Sequence, residues 1–402
     1  LATPTASLYV SPAGNDSGQC TQSAPCKTIT RAIAVSSIGG TVTVLAGTYR
    51  ENVRVTKSIT LQGQGAIIDG TGLPVQNGGG LINIPASVSG ATVTGFEVMN
   101  GVYYGISVFG SNNKILNNKI HHIQKVGIWI RDAKFNLFEG NELYFSVLTN
   151  SVSFNGSYYV CNPNNSTGWE SAVNPWGNAS NNIFRNNSVH DNCGEGLVLY
   201  SGDLAEGNDV KNNWSVEIYI DGHTDVTVRN NIVSNTRPYI TRGSNNAWKA
   251  VSYGIAIADE AGCLADRNTI TGNTVTGARY GFSFYAYSTC SGLKNTVIEN
   301  NNFVNSWEYG IRITTGAHSN SFVRNNVIIS PNGLPYTIAP GVTFSGVGQV
   351  VTQTVTFTPT RTPIPPTATR IPATSTPTAT STPTFDPRCD VKYLPPVCVY
   401  IP

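Results

Sequence analysis

A short phrase recurs along most of this chain, and its period restricts the fold more than any other feature. A Gly-Ile type strand is followed some thirteen to twenty residues later by Asn-Asn or Gly-Asn leading into a second apolar pair. It reads YGISVFG then NNKI, VGIWIRD then GNEL, EGLVLYSG then KNNW, VEIYIDGH then RNNIV, YGIAIADE then GNTV, YGFSFYAY then NNNF, YGIRITTG then NNVI. The strand glycines are Gly105, Gly127, Gly196, Gly254, Gly281 and Gly310, with Glu217 in that place in one copy, and steps of 21 to 29 residues recur between them. A repeat of that size buries its apolar side only by stacking on its neighbours, which makes a solenoid.

Within a copy, strand alternation sends Ile255 and Ile257 inward and Ala256 outward. The same phase puts Ile128, Ile130, Leu197, Leu199, Ile218, Ile220, Phe282, Phe284, Ile311 and Ile313 in the core. It sends Trp129, Arg131, Val198, Tyr200, Glu217, Tyr219, Asp221, Ser283, Tyr285 and Arg312 outward. The asparagines Asn118, Asn187, Asn231, Asn273, Asn301 and Asn326 suit a sharp turn, because Asn tolerates the left-handed conformation and bonds neighbouring backbone. Stacked, they form a ladder, which is a structural role. Eight cysteines without a CxxC pair or a Cys/His cluster indicate disulfides in an oxidising compartment. Cys263 and Cys290 each lie nine residues after a strand glycine. Stacked coils are ~4.8 Å apart, within disulfide reach, so the two should form a rung between coils. Cys20 with Cys26 and Cys389 with Cys398 are local pairs, and Cys161 with Cys193 ties a long loop to the body.

The boundaries follow from the same period. Residues 1–40 hold a strand, a loop and a short helix whose stripe of Ile29, Ala32, Ile33 and Ser36 caps the open end of the solenoid. Residues 41–335 form about eleven coils, and residues 336–350 make a transition. A Thr/Pro-rich stalk follows over residues 351–387, with too little apolar surface to fold alone. Residues 388–402 are a terminal segment closed by Cys389 and Cys398. The chain opens at LATPTA rather than Met, which predicts a mature form freed of its signal peptide, and no run of eighteen apolar residues predicts a membrane span. Only 12% of residues are charged and the net charge is +2, which leaves no basic field for nucleic acid.

The GI-x-I strands, the NN turns and the opening GGTVTVLAGTYRENV resemble right-handed parallel β-helix proteins of the pectate-lyase-like superfamily, over about residues 8–335. The resemblance implies an all-β parallel β-helix. That superfamily includes polysaccharide lyases, hydrolases, epimerases, phage adhesins and non-enzymatic surface proteins, so activity does not follow from the fold.

Two functions compete. The first is a secreted bacterial surface protein that assembles head-to-tail into a filament, with Tyr393, Leu394, Pro395, Val399, Tyr400 and Ile401 pairing with a solenoid edge of the next copy. The stalk's 37 residues span about 115 Å as polyproline helix, against roughly 50 Å for the coils, so the tail reaches past a neighbouring body. The second is a lyase-like carbohydrate enzyme or a glycan-binding module. Trp129, Arg131, Tyr200, Glu217, Tyr219 and Tyr285 would bind sugar on the outward face, with Trp176 and Trp248 from insertions 146–182 and 234–252 beside it. Those insertions also carry Tyr158, Tyr159, Trp169 and Tyr239. For an enzyme the candidates are Asp221, His223, Asp259, Glu260 and Arg312, and a calcium ion would sit on Asp221, Asp259 and Glu260. The residues alone favour plain turn carboxylates and the assembling protein, with no cofactor required.

Overall fold

The computed structural model describes residues 7–74, 78–161, 170–236, 252–260, 263–330 and 333–350, with backbone alone over 346–350. The chain winds as a parallel β-helix. One coil runs Tyr104–Val108, Lys114–Leu116 and Lys119–His121 before the next begins at Val126. The long strands stack into an 11-stranded sheet from Val53–Arg54 to Leu334–Ile338, all in parallel register; the short strands form the other two sides as one 23-stranded sheet. Parallel pairing continues through Val342–Val350, somewhat past the expected end of the coils. The helix Ile29–Val35 covers the first coils with Ile29, Ala32, Ile33 and Ser36 buried, as its stripe predicts. Thr28 caps it, and Glu51 accepts from the backbone N–H groups of Ile29 (2.8 Å) and Thr30 (3.0 Å), satisfying donors that a helix start leaves free.

The inward residues expected from the alternation, Ile128 through Ile313, are all buried. Three disulfides form, Cys20–Cys26, Cys161–Cys193 and Cys263–Cys290, with Cα atoms 4.5, 5.2 and 5.6 Å apart. The Cys389–Cys398 pair, the stalk and the assembly residues Tyr393, Leu394, Pro395, Val399, Tyr400 and Ile401 lie outside the described residues. No helix among the described residues is long and apolar enough to cross a membrane.

The asparagine pairs divide their labour. In each pair the first residue takes the left-handed turn, as Asn117 (φ 53°), Asn186 (φ 53°), Asn230 (φ 56°), Asn300 (φ 56°) and Asn325 (φ 53°) do. The second is buried and builds the ladder: the Asn187, Asn208, Asn231, Asn273, Asn301 and Asn326 side-chain oxygens each accept from the coil before. The turn conformation expected of Asn118, Asn187, Asn231, Asn301 and Asn326 thus belongs to their predecessors, and only the ladder role is theirs.

The strand glycines mark a kink that alternation alone misses. Along the long-strand sheet the register passes from Tyr253↔Tyr280 to Ile255↔Phe282 without pairing the intervening glycines. A Cβ on Gly281 would lie 2.6 Å from both the Gly310 carbonyl oxygen and the Phe303 ring, so this position points into the core with no room for a side chain. The residue before each glycine therefore faces outward instead of inward. Gly281→Ala should cost about 1–3 kcal/mol through overpacking, read as a lower denaturation midpoint; an unchanged midpoint would contradict this packing.

Candidate functional site

The kink corrects the expected outward face at its most chemical position. Glu217 occupies the glycine place and is 1% exposed, not a surface glycan contact. Its carboxylate accepts from the Asn213 side chain (2.7 Å) and backbone N–H (3.2 Å) and from Asn235 (3.2 Å), ending a second asparagine ladder. The same kink turns outward a rank that alternation assigns to the interior: Tyr104, Glu195, Tyr253, Tyr280 and Tyr309. Their common sign in the sequence is the residue before the strand glycine, which is Tyr in four of these five copies.

Around Glu195 the outward face becomes acidic. Glu195 is 7% exposed, and burial first, then the charges of Glu260 and Asp221, push its carboxyl well above the usual carboxylate range. Asp221 is pushed up to about 6, by burial and then by Glu260 and Asp259, against the lowering effect of a hydrogen bond from the Glu260 backbone. Its Oδ1 is buried without a hydrogen-bond partner. The Tyr219 hydroxyl donates to Glu260 Oε1 at 2.9 Å. Burial also pushes up the Tyr200 and Tyr287 hydroxyls, each to about 12. No cation figures among the electrostatic neighbours of Glu195 or Asp221 within the described residues.

The other candidates divide clearly. His223 lies tilted against Tyr200 with ring centroids 3.8 Å apart and meets Ser201 Oγ through Nδ1 at 3.0 Å, and burial lowers its pKa to about 4. Asp259 is 1% exposed, and its two oxygens accept from the backbone N–H groups of Leu264 (2.8 Å) and Gly292 (3.3 Å). It holds a turn instead of joining Asp221 and Glu260 around a cation. Among the described residues no group of three His, Cys, Asp or Glu is placed to hold a metal.

Arg312 and Tyr285 sit beyond the carboxyl cluster, in a tyrosine-rich patch where Tyr280 and Tyr253 stack at 5.2 Å. At the other end, Trp129 lies tilted against Tyr104 with ring centroids 4.3 Å apart, and the Arg131 guanidinium is 5.9 Å from its ring. Trp176 is 58% exposed and pairs in register with Arg131. Of the first insertion, Tyr159 packs against Phe145 (5.2 Å) and His122 (6.1 Å), filling a corner instead of rising over the outward face. Trp169, Tyr239 and Trp248 lie outside the described residues.

The carboxylic acids pushed up by burial set a pH dependence of stability. Asp203 rises to about 7 and Glu217 to about 8, both through burial and against hydrogen bonds that lower them, beside Asp221 and Glu195. A raised carboxyl binds its proton more tightly when folded, so its contribution is full below about pH 4 and is lost as pH rises through about 6 to 8. The melting temperature should fall by at least about 5 °C between pH 5 and pH 9, and Asp203→Asn should flatten that slope. A profile rising over this range would contradict the assignment.

With the fold and the outward face established, comparison with known proteins is direct. The profile described as "Right handed beta helix region" matches residues 51–297. The chain belongs to the right-handed β-helix family. A second family, of unknown function, matches residues 12–71 of this β-helix. Pectate lyase PEL9 of Emericella nidulans is 26% identical over 217 residues, which are 48% of this chain and 50% of that protein. The β-helix thus spans about half the length of this curated relative. Among solved structures it is similar to the A-module of mannuronan C-5 epimerase AlgE4 of Azotobacter vinelandii, at TM-score 0.54 and 18% identity, covering 77% of this chain and 91% of that one. It is also similar to the GH136 lacto-N-biosidase of Eubacterium ramulus, at TM-score 0.52 and 12% identity, covering 85% and 68%. At these identities the structural likeness is one of fold.

Proposed function

We propose that this β-helix is a carbohydrate-active enzyme that lays a polysaccharide across the outward side of its long-strand sheet and cleaves a glycosidic bond at Glu195 and Asp221. The observation that carries this reading is the pair of outward carboxyls whose environments hold their protons differently, beside Glu260 and floored by tyrosines. Such a pair supplies an acid and a base at one pH. Burial pushes both carboxyls up, Glu195 well above the usual carboxylate range and Asp221 to about 6, which gives the acid role to Glu195 and the base role to Asp221. Glu195 gives its proton to the glycosidic oxygen, Asp221 takes one from water, and the hydroxyl left by that water bonds to the anomeric carbon. The linkage is replaced by a free hydroxyl and a reducing end. Trp129, Arg131 and Trp176 extend the surface toward the earlier coils, where sugar rings stack on aromatic faces.

The pectate lyase relative and the carbohydrate-acting structural neighbours support a glycan substrate. A lyase would need its base set against a carbon-bound proton and a cation against the substrate's carboxylate, whereas hydrolysis needs only the two carboxyls described. Head-to-tail assembly rests on tail residues outside the described part, so it has no comparable site behind it. The three disulfides are compatible with an extracellular protein, and secretion is part of the proposal.

The test is product chemistry. The full chain is incubated with neutral, uronate-bearing and sulfated polysaccharides, and both reducing ends and unsaturated-uronate absorbance are followed. Reducing ends without that absorbance support hydrolysis. Absorbance rising in step with chain cleavage would replace hydrolysis with elimination, and no product from any polymer would overturn the enzyme reading.

A further inference from the structure

We propose that Arg312, Tyr280, Tyr285 and Ser283 form a subsite for an anionic substituent of the glycan, a carboxylate or a sulfate ester. The Arg312 guanidinium is held between two rings, 5.1 Å from the Tyr280 centroid and 4.7 Å from that of Tyr285. Two ring contacts at these distances hold the guanidinium in place by cation–π attraction. Its Nη1 is buried and has no hydrogen-bond partner. The nearby carboxylate is already engaged: Glu308 takes Arg279 Nε at 2.5 Å and the Tyr280 hydroxyl at 2.8 Å. On the adjacent strand Ser283, in register with Arg312, is fully buried, and its hydroxyl is also without a partner.

Two unpartnered donors side by side, one of them charged, are costly unless something accepts from them. Few acidic side chains are left to pair with them. The stretches of residues 1–350 outside the description contain no Asp or Glu, leaving Asp386 and Asp390 of the tail as the only unplaced acidic side chains. An anion brought by the ligand pairs with the half-buried Arg312 guanidinium, and carboxylate and sulfate are the glycan groups suited to its fork.

The position adds a constraint on the substrate. Arg312, Ser283, Ala256 and Tyr219 lie on one rank across four neighbouring strands. Arg312 is therefore three interstrand steps, about 14 Å, from the tyrosine that donates to Glu260. This inference rests on the glycan reading above and sharpens it: the polymer carries its anion a few sugar residues away from the cleaved bond, where it orients the chain instead of taking part in the chemistry.

Affinity electrophoresis of the full chain tests it, using oligogalacturonate, chondroitin sulfate, the carboxyl-reduced and desulfated forms of each, and neutral xylan. Retardation by one anionic glycan and not by its neutralised form is expected, and the responding member distinguishes carboxylate from sulfate. Arg312→Gln should weaken that retardation at least tenfold while Arg312→Lys restores part of it. Glu195→Gln should abolish cleavage and leave retardation intact, so loss of the enzyme reading and loss of this subsite are separately visible. Because Arg312→Gln removes a buried donor without adding bulk, its melting temperature serves as the folding control. Retardation that ignores the anion, or that survives Arg312→Gln, overturns the proposal.

Discussion

Replacing Asn231 with alanine will destabilise the body by about 3–5 kcal/mol, since each buried polar group left unpaired costs about 1–3 kcal/mol. Asn231 Oδ1 accepts from both the backbone and the side-chain N–H of Asn208 at 2.9 Å, and its own amide donates to the Ala205 carbonyl at 3.0 Å. Alanine removes these three bonds and a fourth, from the Asn231 amide to Asn273 Oδ1 at 2.9 Å, although the Asn208 amide keeps its bond to the Phe184 carbonyl at 3.0 Å. Asn230, one residue earlier, is exposed and holds only the left-handed turn at φ 56°. Alanine there should cost about 1–2 kcal/mol of backbone strain. Chemical denaturation of the two variants separates the roles, and equal losses would contradict the division of each asparagine pair into turn and ladder.

Much of this was legible in the sequence, for physical reasons that also explain what was not. A solenoid writes each coil on the same template, so one phase places Ile255, Phe282 and Ile311 together and brings Cys263 over Cys290. The kink at the strand glycine changes the phase within a strand, and two-residue alternation cannot register it. That is why Glu217 reads as a surface residue while it ends a buried ladder, and why Glu195 was hidden. The recurring Tyr before the glycine was the available signal, since a bulky ring repeated beside an obligatory glycine needs open space on one side. Phase places Asp221, Tyr219 and Tyr200 on the outward side and Glu260 follows the next strand, whereas the placement of Asp259 depends on the backbone N–H groups of Leu264 and Gly292, which no side-chain pattern reveals. Phase places Arg312 outward too, but its missing partner is a property of the packed sheet.

The largest functional effect expected is at Asp221. Asp221→Asn keeps the size of the side chain and removes the base, which should lower turnover about 10²- to 10⁴-fold. Burial of an ionised carboxylate already raises its pKa to about 6, so the amide should hold or raise the melting temperature at pH 8. Losing activity while keeping or gaining stability is the pattern of a strained functional group, as opposed to a structural one. The deciding measurement is therefore turnover of the responding polysaccharide by the full chain and by Asp221→Asn, with melting curves of both at pH 8. Activity should fall by at least a hundredfold with the fold as stable or more so, and an Asp221→Asn protein that cleaves at the parental rate would contradict hydrolysis at this pair of carboxyls.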